Sequence, residues 1–162
     1  MTPVPPPGGS PGTPLARKLG IRPGDTVALV GAPRGWAVPD LPDGARQRRT
    51  LGTGAEVVLR FVRRAADLGD AVRAVAAVLG PEDAVWVLWP RRAAGHDSDL
   101  TDTLVRATVL PSGLVDVKVA AVGEDWSGLR FVWRRTSRPA LAARRPPRGR
   151  GAPPRAPAPP TR

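Results

Sequence analysis

Residues 84–89 read Ala84-Val85-Trp86-Val87-Leu88-Trp89, followed by Pro90-Arg91-Arg92. Six apolar residues without polar alternation describe a strand buried on both faces, as a central strand of a parallel sheet must be. Pro90 and the paired arginines end it. Immediately upstream, Leu68, Val72, Val75 and Leu79 recur near a 3.6-residue period, which predicts a helix stopped by Gly80-Pro81. Before that helix, the β-branched run Glu56 to Val62 predicts another strand.

Further towards the amino terminus, Pro23-Gly24-Asp25 makes a turn and Val27 to Val30 is an apolar run ending at Gly31. Thr13-Pro14-Leu15-Ala16-Arg17-Lys18-Leu19-Gly20 reads as a short helix, with a capping residue, Pro at its first position and a closing Gly. Residues 37–44 are rich in turn formers, and Ala45 to Leu51 fits a short polar edge strand. On the other side of the Trp-rich run, Ser98 with Asp99 and Asp102 opens a helix to about Val109, broken by Pro111-Ser112-Gly113. Two strands follow, Val115 to Val122 and Leu129 to Arg134, joined by five or six residues. Regular alternation puts Asp116 and Lys118 on one face of the first. Strands alternating with helices and ending in a hairpin predict an α/β fold. Its form is a three-layer Rossmann-like one, a mostly parallel sheet with helices on both faces and an antiparallel strand in the C-terminal hairpin.

The chain's 162 residues suffice for one domain, and the formal net charge is +11. That charge is unevenly placed. Residues 1–13 carry none and residues 134–162 carry nine Arg and no acid, leaving 16 bases against 14 acids in between, a net of +2. The expected organisation is a disordered Pro/Gly-rich arm over 1–12, a Rossmann-like domain over 13–135 and a disordered Arg/Pro-rich tail over 136–162. Such a tail supports weak, non-specific association with nucleic acid, since each Arg near a phosphate releases counterions; its lack of aromatic residues leaves nothing to stack on bases. With no Cys and one His, disulfides, thiolate metal sites, a Cys nucleophile and a multi-histidine zinc site are excluded. No stretch approaches the roughly 20 apolar residues that span a bilayer, and the first residues lack a signal-peptide layout. A cytoplasmic protein without a membrane partner is expected.

Two resemblances attach to these residues. Val57-Val58-Leu59 and Trp86 to Trp89 stand where the core of class I methyltransferases has its fourth and fifth strands. That resemblance implies that the strand starting at Leu129 inserts antiparallel between the strands of Trp86 and Val117. A narrower one rests on several motifs in register: Leu19-Gly20-Ile21, Leu29-Val30-Gly31-Ala32-Pro33, Gly35-Trp36, Leu88-Trp89-Pro90-Arg91-Arg92, Gly113-Leu114-Val115-Asp116-Val117-Lys118-Val119 and Trp126-Ser127-Gly128-Leu129. Over about residues 14–134 the chain resembles the bacterial, mainly actinobacterial, family catalogued as domain of unknown function 3052. That family implies no activity.

Ligands of open parallel sheets bind beyond the carboxyl ends of the strands, where strand order reverses. Those ends supply Gly31, Arg34, Gly35 and Trp36 after the first strand, Arg63 and Arg64 after the middle one, and Arg91 and Arg92 after the Trp-rich one. The candidate ligand-binding set is Gly31, Arg34, Gly35, Trp36, Arg91 and Arg92, with Arg forks gripping oxyanions and Trp36 stacking on a ring. Arg91 and Arg92 have an alternative, pairing with Asp97 and Asp99 to fix the next helix. Gly31 and Gly35 lack the spacing of a phosphate loop, and such glycines more often only allow a tight strand-to-loop turn. The missing glycine loop and the missing ribose-binding acid count against S-adenosylmethionine or NAD, so no cofactor is expected. His96 is an acid–base candidate by residue type but has no nucleophile suggested by spacing, and an exposed loop His is the favoured reading. No catalytic or metal-binding residue is assigned. The function read from the sequence is a small non-enzymatic domain that binds an anionic small molecule or a protein partner; a divergent methyltransferase-like enzyme is the alternative.

Overall fold

A computed structural model describes residues 14–144. Its sheet has six strands: β1 (Thr26–Val30), β2 (Arg46–Arg48), β3 (Val57–Phe61), β4 (Ala84–Pro90), β5 (Leu114–Val122) and β6 (Trp126–Trp133). The spatial order is β2-β1-β3-β4-β6-β5. All neighbours from β2 to β4 pair parallel, and only β6 is reversed, lying antiparallel between β4 and β5. The α/β class is as the sequence predicts, and the inserted strand is as the resemblance to the methyltransferase core implies. The chain leaves β1 for β2 on one side and returns to β3 on the other, so strand order reverses between β1 and β3.

The Trp-rich run is central because its two faces feed two cores. Val85, Val87 and Trp89 join the helical face, where α2 (Ala65–Val78) contributes Leu68, Ala71, Val72 and Val75, and α3 (Asp102–Val109) contributes Val105 and Val109. Trp86 and Leu88 join the opposite face with Leu19, Ile21, Val27 and Leu59. Two of the four buried indoles also find a main-chain acceptor, as a polar group taken from water requires. Trp86 Nε1 donates to the Leu19 carbonyl at 3.0 Å, and Trp133 Nε1 to that of Leu79 at 3.3 Å. On the Trp86 face the third layer is thin: the four-residue helix α1 (Leu15–Lys18) and the segment 32–45, which contains no helix. That segment seals the sheet through buried Val38, whose N–H and C=O are both held by the Gln47 amide.

Four local readings change. Asp116 and Lys118 do not share a face, because a bulge between them leaves Val117 without a partner on β6; Asp116 lies opposite Phe131 and Lys118 opposite Arg130. Asp116 therefore meets Arg106 of α3 at 2.9 Å, while Lys118 reaches the Lys18 carbonyl. The Asp116 hydrogen bond raises the Arg106 guanidinium above the ordinary arginine range, Asp102 adding to it. The cap of α3 is Thr101, whose hydroxyl accepts from Leu104 N; Ser98 instead accepts from Leu100 N. The β5–β6 turn is three residues long, Gly123 to Asp125. Finally, the fold runs past the expected boundary at 135: α4 (Arg138–Arg144) follows β6, and its Leu141 is buried in the helical-face core. One leucine on a helical turn finds a slot that composition does not reveal. The arm 1–12, Thr13 and the tail beyond 144 lie outside the described residues.

Candidate functional site

At the carboxyl end of β1 the chain turns sharply. Gly31 has φ 78°, and a Cβ there would sit 2.9 Å from the Phe61 carbonyl oxygen and 2.7 Å from the Arg60 guanidinium. Close approach of β1 to β3, combined with positive φ, makes glycine necessary. Gly35 also has positive φ, but open space surrounds it. The turn between them closes by Trp36 N donating to the Pro33 carbonyl. Arg49 then reaches across from the end of β2: Nη1 donates to the Trp36 carbonyl at 2.9 Å, and Nη2 to those of Ala32 and Pro33 at 3.0 and 2.8 Å. Arg63 Nη1 does the same for Gly31 at 3.0 Å. Guanidinium groups thus gather the carbonyls of this loop, whereas a phosphate loop converges N–H groups on its ligand.

Three rings line up along the same edge. Trp36 meets Phe61 edge-on at 4.9 Å, and Phe61 meets Trp126 edge-on at 4.8 Å. Arg63 lies over Trp126, its guanidinium carbon 5.4 Å from the ring centroid. Trp36 is therefore the half-buried end of an aromatic row, rather than a free plate for stacking.

Beyond Trp126 opens a broad groove of about 1320 Å³, whose lining includes Arg63, Arg64, Arg92, His96, Asp125 and Trp126. Of the expected ligand-binding set, only Arg92 lines it. Arg92 donates through Nε and Nη2 to the Ser98 carbonyl, folding its own loop. Arg91 turns away to the Glu124 carbonyl in the β5–β6 turn. Neither pairs with Asp97 or Asp99 among the described residues. Asp99 is engaged elsewhere, its Oδ1 accepting from Ala65 N at 2.8 Å and occupying the amino terminus of α2. Arg34 is exposed and makes no hydrogen bond or ion pair among the described residues. The groove also brings His96 and Asp125 together, Nε2 to Oδ1 at 2.8 Å. Twenty-nine residues separate that pair in sequence and 63 separate Arg63 from Trp126, so neither is visible as a motif.

The chain's fold is that of several solved structures. TrmN from Thermus thermophilus superposes with a TM-score of 0.52 at 16% identity, over 74% of this chain and 47% of that one, so the chain spans about half of TrmN's length. The fibrillarin pre-rRNA processing protein of Methanococcus jannaschii gives 0.51 at 11% identity, over 70% and 68%. Magnesium protoporphyrin IX methyltransferase from Synechocystis, solved with bound SAM, gives 0.51 at 9%, over 74% of each chain. No curated protein matches.

S-adenosylmethionine does not fit the equivalent edge here. No helix follows β1 to point its amino terminus at a ligand, the loop's carbonyls are bound by Arg49, and 46–54, which contains β2 and its exit, holds three arginines and no acid for a ribose. The shared architecture is thus the fold without that ligand's contacts. Within it, residues 50–135, more than half of the chain, match the model for "Protein of unknown function (DUF3052)", and the chain belongs to that family.

Proposed function

We propose that this is a non-enzymatic domain of the cytoplasm that binds a small anionic ligand, of the nucleotide or phosphorylated-metabolite class, in the groove beside Trp126. The reading is carried by one observation. Arg64 projects at the groove with no side-chain hydrogen bond or ion pair among the described residues, next to Arg63 already laid on an aromatic face. The groove's carboxylates, Asp97, Asp99 and Asp125, equal its arginines in number, and Asp99 is engaged by the α2 backbone and Asp125 by His96, so what sets Arg64 apart is that its donors have no acceptor among the described residues. Arg forks suit oxyanions.

The second reading, a methyltransferase-like enzyme, has the His96–Asp125 pair in its favour, since an imidazole oriented by a carboxylate is the geometry of a general base. Thermal unfolding of the full chain against a panel of nucleoside mono- and diphosphates, with S-adenosylmethionine as a separate arm, decides between them. A ligand at about 100 times its dissociation constant adds about 2.7 kcal/mol. Stabilisation by a nucleotide that Arg64→Gln abolishes supports binding at this groove. A flat panel, or equal stabilisation of the variant, removes the reading, and stabilisation by S-adenosylmethionine favours the enzyme.

A further inference from the structure

The acid-free part of the chain begins inside the fold. Asp125 is the last acid, and residues 126–162 carry ten Arg and no Asp or Glu. Ala84 pairs with Val132 and Leu114 with Trp133, so β6 ends at the edge where the parallel strands begin, the amino edge of the sheet. From there the chain is tied down repeatedly. Arg134 N donates to the Gly113 carbonyl and Ser137 N to that of Arg134, each at 3.0 Å. Arg138 Nε donates to the Trp133 carbonyl at 3.2 Å, and Leu141 is buried in the helical-face core.

These ties sort the arginines. Arg138 is committed to a main-chain acceptor. Arg134 and Arg135 are adjacent and exposed, and their guanidiniums have no hydrogen bond or ion pair among the described residues. The acids of the neighbouring elements are directed elsewhere. Asp116 of β5 pairs with Arg106 at 2.9 Å, Asp83 Oδ2 accepts from Gly80 N at 3.1 Å, and Glu82 lines a separate groove together with Arg130. Five more arginines follow Arg144 in sequence, again without an acid.

What the surface lacks selects the partner. Trp133 and Leu141 are buried, and the exposed neighbours are Thr136, Pro139, Ala140 and Ala142. There is no ring to stack on an unpaired base, and no large apolar side chain to enter a lipid layer or a protein pocket. A double helix, with its stacked bases inside and its phosphates in regular rows, asks for neither. We propose that Arg134 and Arg135, fixed on the fold at the head of the acid-free run, contact the phosphate backbone of a double-stranded nucleic acid. Contacts of this kind place a protein on the duplex without reading its sequence.

The test is binding of the full chain to a mixed-sequence DNA duplex, followed by fluorescence anisotropy between about 50 and 200 mM salt. The logarithm of the binding constant should fall linearly with that of the salt concentration. Arg134→Gln with Arg135→Gln should reduce the slope by about 2, since each phosphate contact contributes about 0.9, and should weaken binding at the lowest salt by about tenfold or more. Lysine at both positions keeps the charge and should restore the slope. Arg135→Gln alone is compared with Arg73→Gln, which removes the same charge from the outer face of α2 where Asp70 pairs with it. The first should reduce the slope by about 0.9 and the second should leave it unchanged. Equal effects of these two single variants, an unchanged slope in the double variant, or binding to anionic vesicles without binding to the duplex overturns the proposal.

Discussion

The two edges of the sheet use arginine in opposite ways. At the carboxyl edge, Arg49, Arg63, Arg91 and Arg92 donate to main-chain carbonyls of the loops around them, so four guanidiniums act chiefly as loop staples. At the amino edge, Arg130 is half-buried with the cation Arg22 nearby, and its Nε has no acceptor among the described residues. The number of arginines near an edge therefore says little about anion binding. What distinguishes a staple from a ligand contact is whether the donors already have acceptors.

The largest test of this contrast lies at the loop that the staples hold. Gly31→Ala combines left-handed strain with a clash against the Phe61 carbonyl, and should lower stability by about 3 kcal/mol. Gly35→Ala, with the same sign of φ but open space around it, should lower it by only about 1 kcal/mol. Urea unfolding midpoints of the two variants measure the difference. Equal losses would mean that β1 and β3 do not approach as closely as the stapled loop requires.

A smaller effect, but one that changes sign, separates the arginines themselves. Arg49→Met removes donors from three carbonyls; because water can replace them at this exposed site, the loss should be about 1 kcal/mol, with faster amide exchange across 32–36. Arg130→Met should fall within about 0.5 kcal/mol of the parent or exceed it, because an apolar chain of similar length removes a half-buried guanidinium whose Nε has no acceptor among the described residues. If Arg130→Met proves the more damaging of the two, Arg130 is a structural residue and the contrast between the edges collapses.

How much of the molecule is legible in its sequence depends on the range of the interaction. The fold is legible because β4 is apolar on both faces and α2 carries its stripe at helical spacing, and both are local patterns. The bulge at Val117 is not. Val115, Val117 and Val119 alternate with Asp116 and Lys118 as a regular strand would, and only the register with β6 shows the extra residue. The site is less legible still. Asp99 sits where a cap of its own helix belongs, yet it caps α2, and Ser98 and Thr101 are chemically equivalent capping residues that only geometry tells apart. Reading arginines at strand ends puts them on the carboxyl edge, but which of them face one groove depends on whether a nearby carbonyl captures each side chain. Arg64, which nothing among the described residues captures, looks no different in sequence from Arg63.

The smallest predicted effect concerns the chain's only two lysines, which meet across α1 and β5. Burial lowers the Lys18 ammonium below the ordinary lysine range, with repulsion from Lys118 and then Arg91 adding to it. Its hydrogen bond to the Ala121 carbonyl does not offset these. Because the folded value lies below the unfolded one, the unfolded chain binds more protons in the window between them, and stability should rise with pH there. Below that window both states are protonated and the penalty is constant; above it the penalty is gone. Urea unfolding at pH values approaching the ordinary lysine value of about 10.4 should show the rise, and Lys18→Met should flatten it while gaining stability near neutral pH. A parent chain whose stability falls across the same range would place the cost elsewhere than in this pair.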